Sequence, residues 1–103
     1  MEKRWSKRKP ITLDVVLFHN DLGLLRCKTR DISLEGMFLD TGKVSLPVED
    51  PVDLDFILHS NGDTRLHHIR AKVVRVTPQG AGVMFREFTP SVSHFLQDAN
   101  YAS

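Results

Sequence analysis

Apolar and polar residues alternate along much of this chain, the signature of half-buried strands. Ile11, Leu13, Val15 and Leu17 alternate with Thr12 and Asp14, which predicts a strand over Ile11–His19. Val16 and Phe18 make its far end apolar on both faces. Asn20-Asp21-Leu22-Gly23 has turn composition. A second strand is predicted over Leu24–Arg30, with Leu25, Cys27 and Thr29 on one face and Arg26, Lys28 and Arg30 on the other. The polar turn Asp31–Gly36 precedes a short third strand, Met37–Leu39, and Thr41–Pro51 is a loop marked by Gly42, Pro47 and Pro51. Val52, Leu54, Phe56 and Leu58 alternate with Asp53 and Asp55 in a fourth strand. Asn61-Gly62 is a strong hairpin signal. Thr64–Val76 is a long fifth strand, Thr77–Gly80 a turn, and Ala81–Phe85 a sixth strand.

Six short strands joined by tight turns predict a mainly β fold, a six-stranded antiparallel barrel. The period then changes. Thr89 suits a helix cap and Pro90 a first turn, and Val92, Phe95, Leu96 and Ala99 recur at helical spacing. A C-terminal helix covering one end of the barrel is expected. Residues 1–10 lack apolar periodicity and end at Pro10, so the expected organisation is a flexible arm over 1–10 and a barrel with its helix over 11–103.

With 103 residues, the chain suits a single domain able to bury one core. No apolar run approaches the ~20 residues of a membrane helix. No signal-peptide pattern follows the basic start, and the single cysteine excludes an internal disulfide. These features point to a cytoplasmic protein without membrane insertion. The net charge of +1 is unevenly placed. Residues 1–9 carry five basic residues against Glu2, or +4; nine basic and twelve acidic residues elsewhere leave −3. The concentrated charge suits an anionic partner, or is simply solvated.

Two polar stretches could carry chemistry. Arg4 and Arg8, if extended, sit about 13 Å apart at ~3.3 Å per residue, enough to hold two parts of one ligand. A guanidinium fits phosphate oxygens, or the O6/N7 edge of guanine, with two parallel hydrogen bonds. Asp31 can accept from guanine's N–H donors, and the Ser33 hydroxyl can meet a base or a phosphate. Gly36 permits either a positive φ or a close approach. Each stretch alone also reads as a solvated tail or an ordinary turn. Trp5 could stack on a purine or anchor the arm, and Arg75 could reach the same place or be a plain surface arginine. His67 and His68 are adjacent on a predicted strand, so they face opposite ways and share no metal. The other histidines have no ligand spacing, no nucleophilic triad is visible, and neither a metal site nor an enzyme is expected. Cys27, Met37 and Met84 are read as core.

The conjunction of Arg4-x-x-x-Arg8 before the first strand and Asp31-x-Ser33-x-x-Gly36 after the second is far rarer than either part. On it the chain resembles the PilZ domain family, the bacterial module that binds the second messenger cyclic di-GMP. Ala71–Val76 followed by Gly80–Phe85 looks like the family's closing strand pair, and Thr89–Gln97 looks like its terminal helix. The resemblance implies a PilZ-type β-barrel and a cyclic di-GMP receptor with no cofactor. It implies that Arg4 and Arg8 bind guanine and phosphate groups, that Asp31 and Ser33 bind a guanine, and that Gly36 shapes the turn. Lys3, Trp5 and Arg75 are further candidate contacts. Lys3 stands where members often carry another arginine, which tends to accompany a stacked ligand pair, so one or two ligands both remain open. Ordering the arm costs roughly 1–2 kcal/mol per residue, and a good bidentate arginine contact gives about 1–3 kcal/mol. The arm is therefore expected to be loose without ligand and wrapped over it when bound, altering the surface offered to an effector protein. Two rivals stand beside this adaptor reading. One is a barrel used for protein–protein contact alone. The other is a general nucleic-acid binder, disfavoured by the net acidic body and the lack of an aromatic array; neither DNA nor RNA is expected as a partner.

Overall fold

A computed structural model of the chain describes residues 12–60, 62–86, 92 and 94–97, residue 60 by its backbone alone. Six strands follow in order: β1 (Asp14–His19), β2 (Gly23–Ile32), β3 (Gly36–Asp40), β4 (Pro51–Ser60), β5 (Asp63–Thr77) and β6 (Gly80–Phe85). Each pairs antiparallel with its neighbours, and the sheet closes as β1-β2-β3-β6-β5-β4, with β1 returning to β4. Closure satisfies strand edges that an open sheet would expose. All six predicted strands are present. The first is shorter at its start than the alternation suggests: residues 12 and 13 are not strand, and the Leu13 N–H donates to the Thr29 side-chain oxygen at 2.8 Å.

The inward positions follow the period of two. Val52, Leu54, Phe56 and Leu58 are buried on β4, and Ile69, Ala71 and Val73 on β5. Leu46 joins them from the loop over 41–50. Helical residues are described at 92 and 94–97. Val92 and Phe95 turn into the barrel, and the Phe95 ring lies 4.4 Å from that of Phe56 and 5.6 Å from His67. The helix thus closes one end of the core, and burying one such side chain stabilises by about 1.5–3 kcal/mol.

Met84 corrects the sequence reading. Met37 is wholly buried, but Met84 is 47% exposed. Val83 and Phe85 occupy the inward positions on β6, so the residue between them is thrown to the outside. Lys3, Arg4, Trp5, Arg8, Pro10, Thr89, Pro90 and Ala99 lie outside the described residues, so the predicted arm and helix cap do as well. Among the described residues, no helix is long and apolar enough to cross a membrane.

Candidate functional site

The polar turn is built around Ser33, which is only 3% exposed. Its backbone N–H donates to the Gly36 carbonyl at 2.8 Å, and its hydroxyl donates to the same carbonyl at 3.2 Å. The hydroxyl oxygen also accepts from the N–H groups of Glu35 and Gly36, each at 3.3 Å. Serine suits this position because its short side chain can bond backbone groups two and three residues away. Gly36 opens β3 where it meets β6. A Cβ there would run into the Val83 carbonyl oxygen and lie 2.9 Å from the Met84 Cα. Its φ is not among the positive values in the chain, so close approach of a neighbouring strand is what demands glycine.

Two irregularities in the barrel aim the charged side chains. In the β2–β3 ladder Thr29 pairs with Leu39 and Asp31 with Phe38, leaving Arg30 as an extra residue in β2. In the β5–β6 ladder Val73 pairs with Val83 and Arg75 with Gly82, leaving Val74 extra in β5. Each is a bulge that reverses the alternation beyond it. Counting in twos from Cys27 and Thr29 would send Asp31 into the core; counting from Ala71 and Val73 would send Arg75 there. Instead Arg30 and Asp31 are successive outer residues and Ile32 returns inside. Val74 and Arg75 do the same on β5, and Val76 packs against the core.

Between these bulges lies Phe38. Its neighbours Met37 and Leu39 are wholly buried inside the barrel, so the ring of Phe38 is on the outside, yet it is only 6% exposed. The Arg30 guanidinium carbon stands 4.8 Å from the ring centroid and that of Arg75 stands 5.7 Å from it. Gly80 gives the ring space, since an added Cβ would lie 3.1 Å from it; at Gly82 a Cβ would make ordinary contact at 3.9 Å. Arginine over an aromatic face is attracted by the ring quadrupole. Among the described residues, neither Arg30 nor Arg75 has a carboxylate within ion-pair distance. Arg70 by contrast meets Asp53 at 3.6 Å, and Lys72 meets Glu49 at 3.3 Å. The face formed by β2, β3, β6 and β5 therefore presents two fixed positive charges beside a carboxylate.

Other titratable groups are engaged elsewhere. His19 is buried; its Nδ1 accepts from the N–H groups of Asp21 and Leu22 at 3.1 and 3.2 Å, which puts the proton on Nε2, 2.9 Å from Asp50. The side chain ties the first turn to the loop over 41–50, a role invisible in histidine spacing. His68 contacts Asp55 at 2.6 Å and Asp53 at 3.3 Å. The hydrogen bond to Asp55 holds its pKa above the ordinary value; the charges of both aspartates add to this, and desolvation opposes it. Burial, aided by the charge of Asp40, pushes the Cys27 thiol up to about 11, which suits an inert core residue. Among the described residues, no group of three or more His, Cys, Asp or Glu side chains is placed to hold a metal ion.

Of the candidates from sequence, Asp31, Ser33, Gly36 and Arg75 are described. Asp31 and Arg75 come to one outer face, Ser33 organises the turn beside it, and Gly36 seats that turn against β6. Sequence reasoning missed Arg30 and Phe38. A charged residue at a position that alternation assigns to the core, as at Asp31 and Arg75, was the available signal of a bulge.

Comparison with known proteins agrees with this geometry. The description of the PilZ domain matches residues 2–100. No curated protein matches by sequence. Among solved structures, the PilZ domain of CeSA from a cellulose-synthesising bacterium is similar with a TM-score of 0.72 at 19% identity, over 89% of this chain and 96% of that one. The Bacillus subtilis inhibitor of motility, MotI/DgrA, is similar with a TM-score of 0.77 at 17% identity. There the likeness covers 99% of this chain and 50% of that one. At these identities the two structures speak for the fold.

Proposed function

The chain belongs to the PilZ domain family, and from that premise we propose that it is a bacterial receptor for cyclic di-GMP which acts as an adaptor in the cytoplasm. Members of the family are generally receptors for this ligand rather than enzymes. One observation supports the reading above others: Asp31 is delivered by the β2 bulge to an outer face that also carries Arg30 and Arg75. A carboxylate beside guanidinium groups that, among the described residues, meet no carboxylate complements a ligand with guanine N–H donors and phosphate anions. In this proposal Asp31 holds a guanine, Ser33 and Gly36 keep its backbone in place, and Arg4 and Arg8 close over the ligand. Lys3 and Trp5 add contacts from the same arm. Folding the arm onto the barrel changes the surface offered to an effector protein.

Titration calorimetry of the full chain with cyclic di-GMP tests this, with Arg8→Ala and Asp31→Ala as variants. Saturable binding in the wild type, severely weakened by each substitution, is the expected result. Hydrogen exchange across residues 1–10 should slow on ligand addition; equal rates with and without ligand would rule out arm closure. A second reading has its own support. Ile57 and Leu66 are cross-strand partners on the outer face of the β4–β5 hairpin, 49% and 73% exposed. An exposed apolar pair of this kind suits a protein contact. A folded wild type that ignores the nucleotide would favour a barrel working through protein contact alone.

A further inference from the structure

Arg30, Phe38 and Arg75 are not part of either polar motif, yet the fold goes to some length to assemble them. Two bulges, one in β2 and one in β5, bring arginines from non-adjacent strands onto one ring in β3. Phe38 lies over Gly80, where a Cβ would come within 3.1 Å of its ring, and in ordinary contact distance of Gly82. Both guanidinium groups remain outside and, among the described residues, unpaired with carboxylates. Such groups have lost part of their side-chain freedom to the ring but kept their hydrogen-bond donors. That is the condition for binding an anion with little further ordering cost.

We infer that Arg30 and Arg75, held on Phe38, form a barrel-borne phosphate subsite that captures the phosphodiester of the ligand independently of the N-terminal arm. This rests on the cyclic di-GMP reading. The ligand's negative charge meets two fixed cations on the barrel, and its guanine meets Asp31. Phe38 is a positioning residue: it touches the arginines rather than the ligand.

The test is calorimetry of the full chain with cyclic di-GMP at several salt concentrations, with each variant's urea unfolding midpoint as a folding control. Arg30 and Arg75 are exposed and their removal should leave folding intact. Arg75→Ala and Arg30→Ala should each weaken binding about tenfold, as loss of one charge-assisted contact does. They should also flatten its salt dependence, because one fewer cation meets the ligand. Arg75→Lys should keep the salt dependence while losing part of the affinity, since lysine retains charge without the planar fork. Arg4→Ala/Arg8→Ala should retain weak, salt-sensitive binding that Arg75→Ala then removes. Wild-type binding matched in affinity and salt slope by folded Arg30→Ala and Arg75→Ala would overturn the subsite and leave the receptor reading intact. A folded wild type that does not bind would overturn the receptor reading itself, and the subsite with it.

Discussion

Gly36 fixes how closely β3 and β6 approach, and the constraint comes from backbone on the far strand. The Val83 carbonyl occupies the space of a Cβ, and backbone cannot rotate away as a side chain can. Gly36→Ala should therefore destabilise the fold by roughly 1–3 kcal/mol, as overpacking does. A fall in the urea unfolding midpoint would register it; an unchanged midpoint would mean that the two strands part freely. Ser33 acts at the same scale. With its hydroxyl committed to the Gly36 carbonyl and to two backbone N–H groups, it keeps a two-strand connection in one shape. In the sequence, Asp31, Ser33 and Gly36 were legible as a set. Their division of labour was not, because spacing does not reveal which atoms a hydroxyl meets or what lies across from a glycine.

At the scale of the element, the β4–β5 hairpin is a ladder of outward pairs. Asp53 faces Arg70, Asp55 faces His68, and Ile57 faces Leu66. His68 also reaches Asp53, so one imidazole bridges two carboxylates along a strand. Its folded pKa is raised above the ordinary 6.5, mainly by the hydrogen bond to Asp55. The stabilisation is therefore complete below the unfolded value and is lost as pH rises through the folded one. The groups are well exposed, so the effect is small, roughly half a kcal/mol or less. Denaturation midpoints measured at pH 5.5 and pH 8.5 should show an acid-side advantage in the wild type that His68→Gln removes. An equal pH dependence in the two proteins would deny His68 that role. The sequence placed His67 and His68 on opposite faces correctly. What each would meet depended on strand register, which joins residues thirteen apart.

Across the whole molecule, the helix near the C-terminus completes the core that the strands enclose. Phe95 is fully buried against Phe56 and meets the His67 ring at a steep angle. Phe95→Ala should cost about 3–5 kcal/mol, through lost burial and the cavity left behind. Thermal unfolding monitored by circular dichroism checks this. A loss under about 1 kcal/mol would mean that the barrel holds together without its plug.

The sequence by itself determined the six strands, their inward faces, the turn residues and the family, because each depends on a local period or a short motif. Ile69, Ala71 and Val73 declare a core face whatever lies beside them. The tertiary structure alone decided what happens where the period breaks. Val73 is followed by Val74 and Arg75 on the outside only because β5 carries an extra residue against β6, and Arg30 is extra in β2 for the same reason against β3. Met84 went outside because its neighbours on β6 filled the inward places. A bulge is a property of two paired strands, so a single strand's sequence holds half of the information. The other half sits across the ladder, at Phe38 and Gly82, and it is there that the arginines, the aromatic ring and Asp31 become one face.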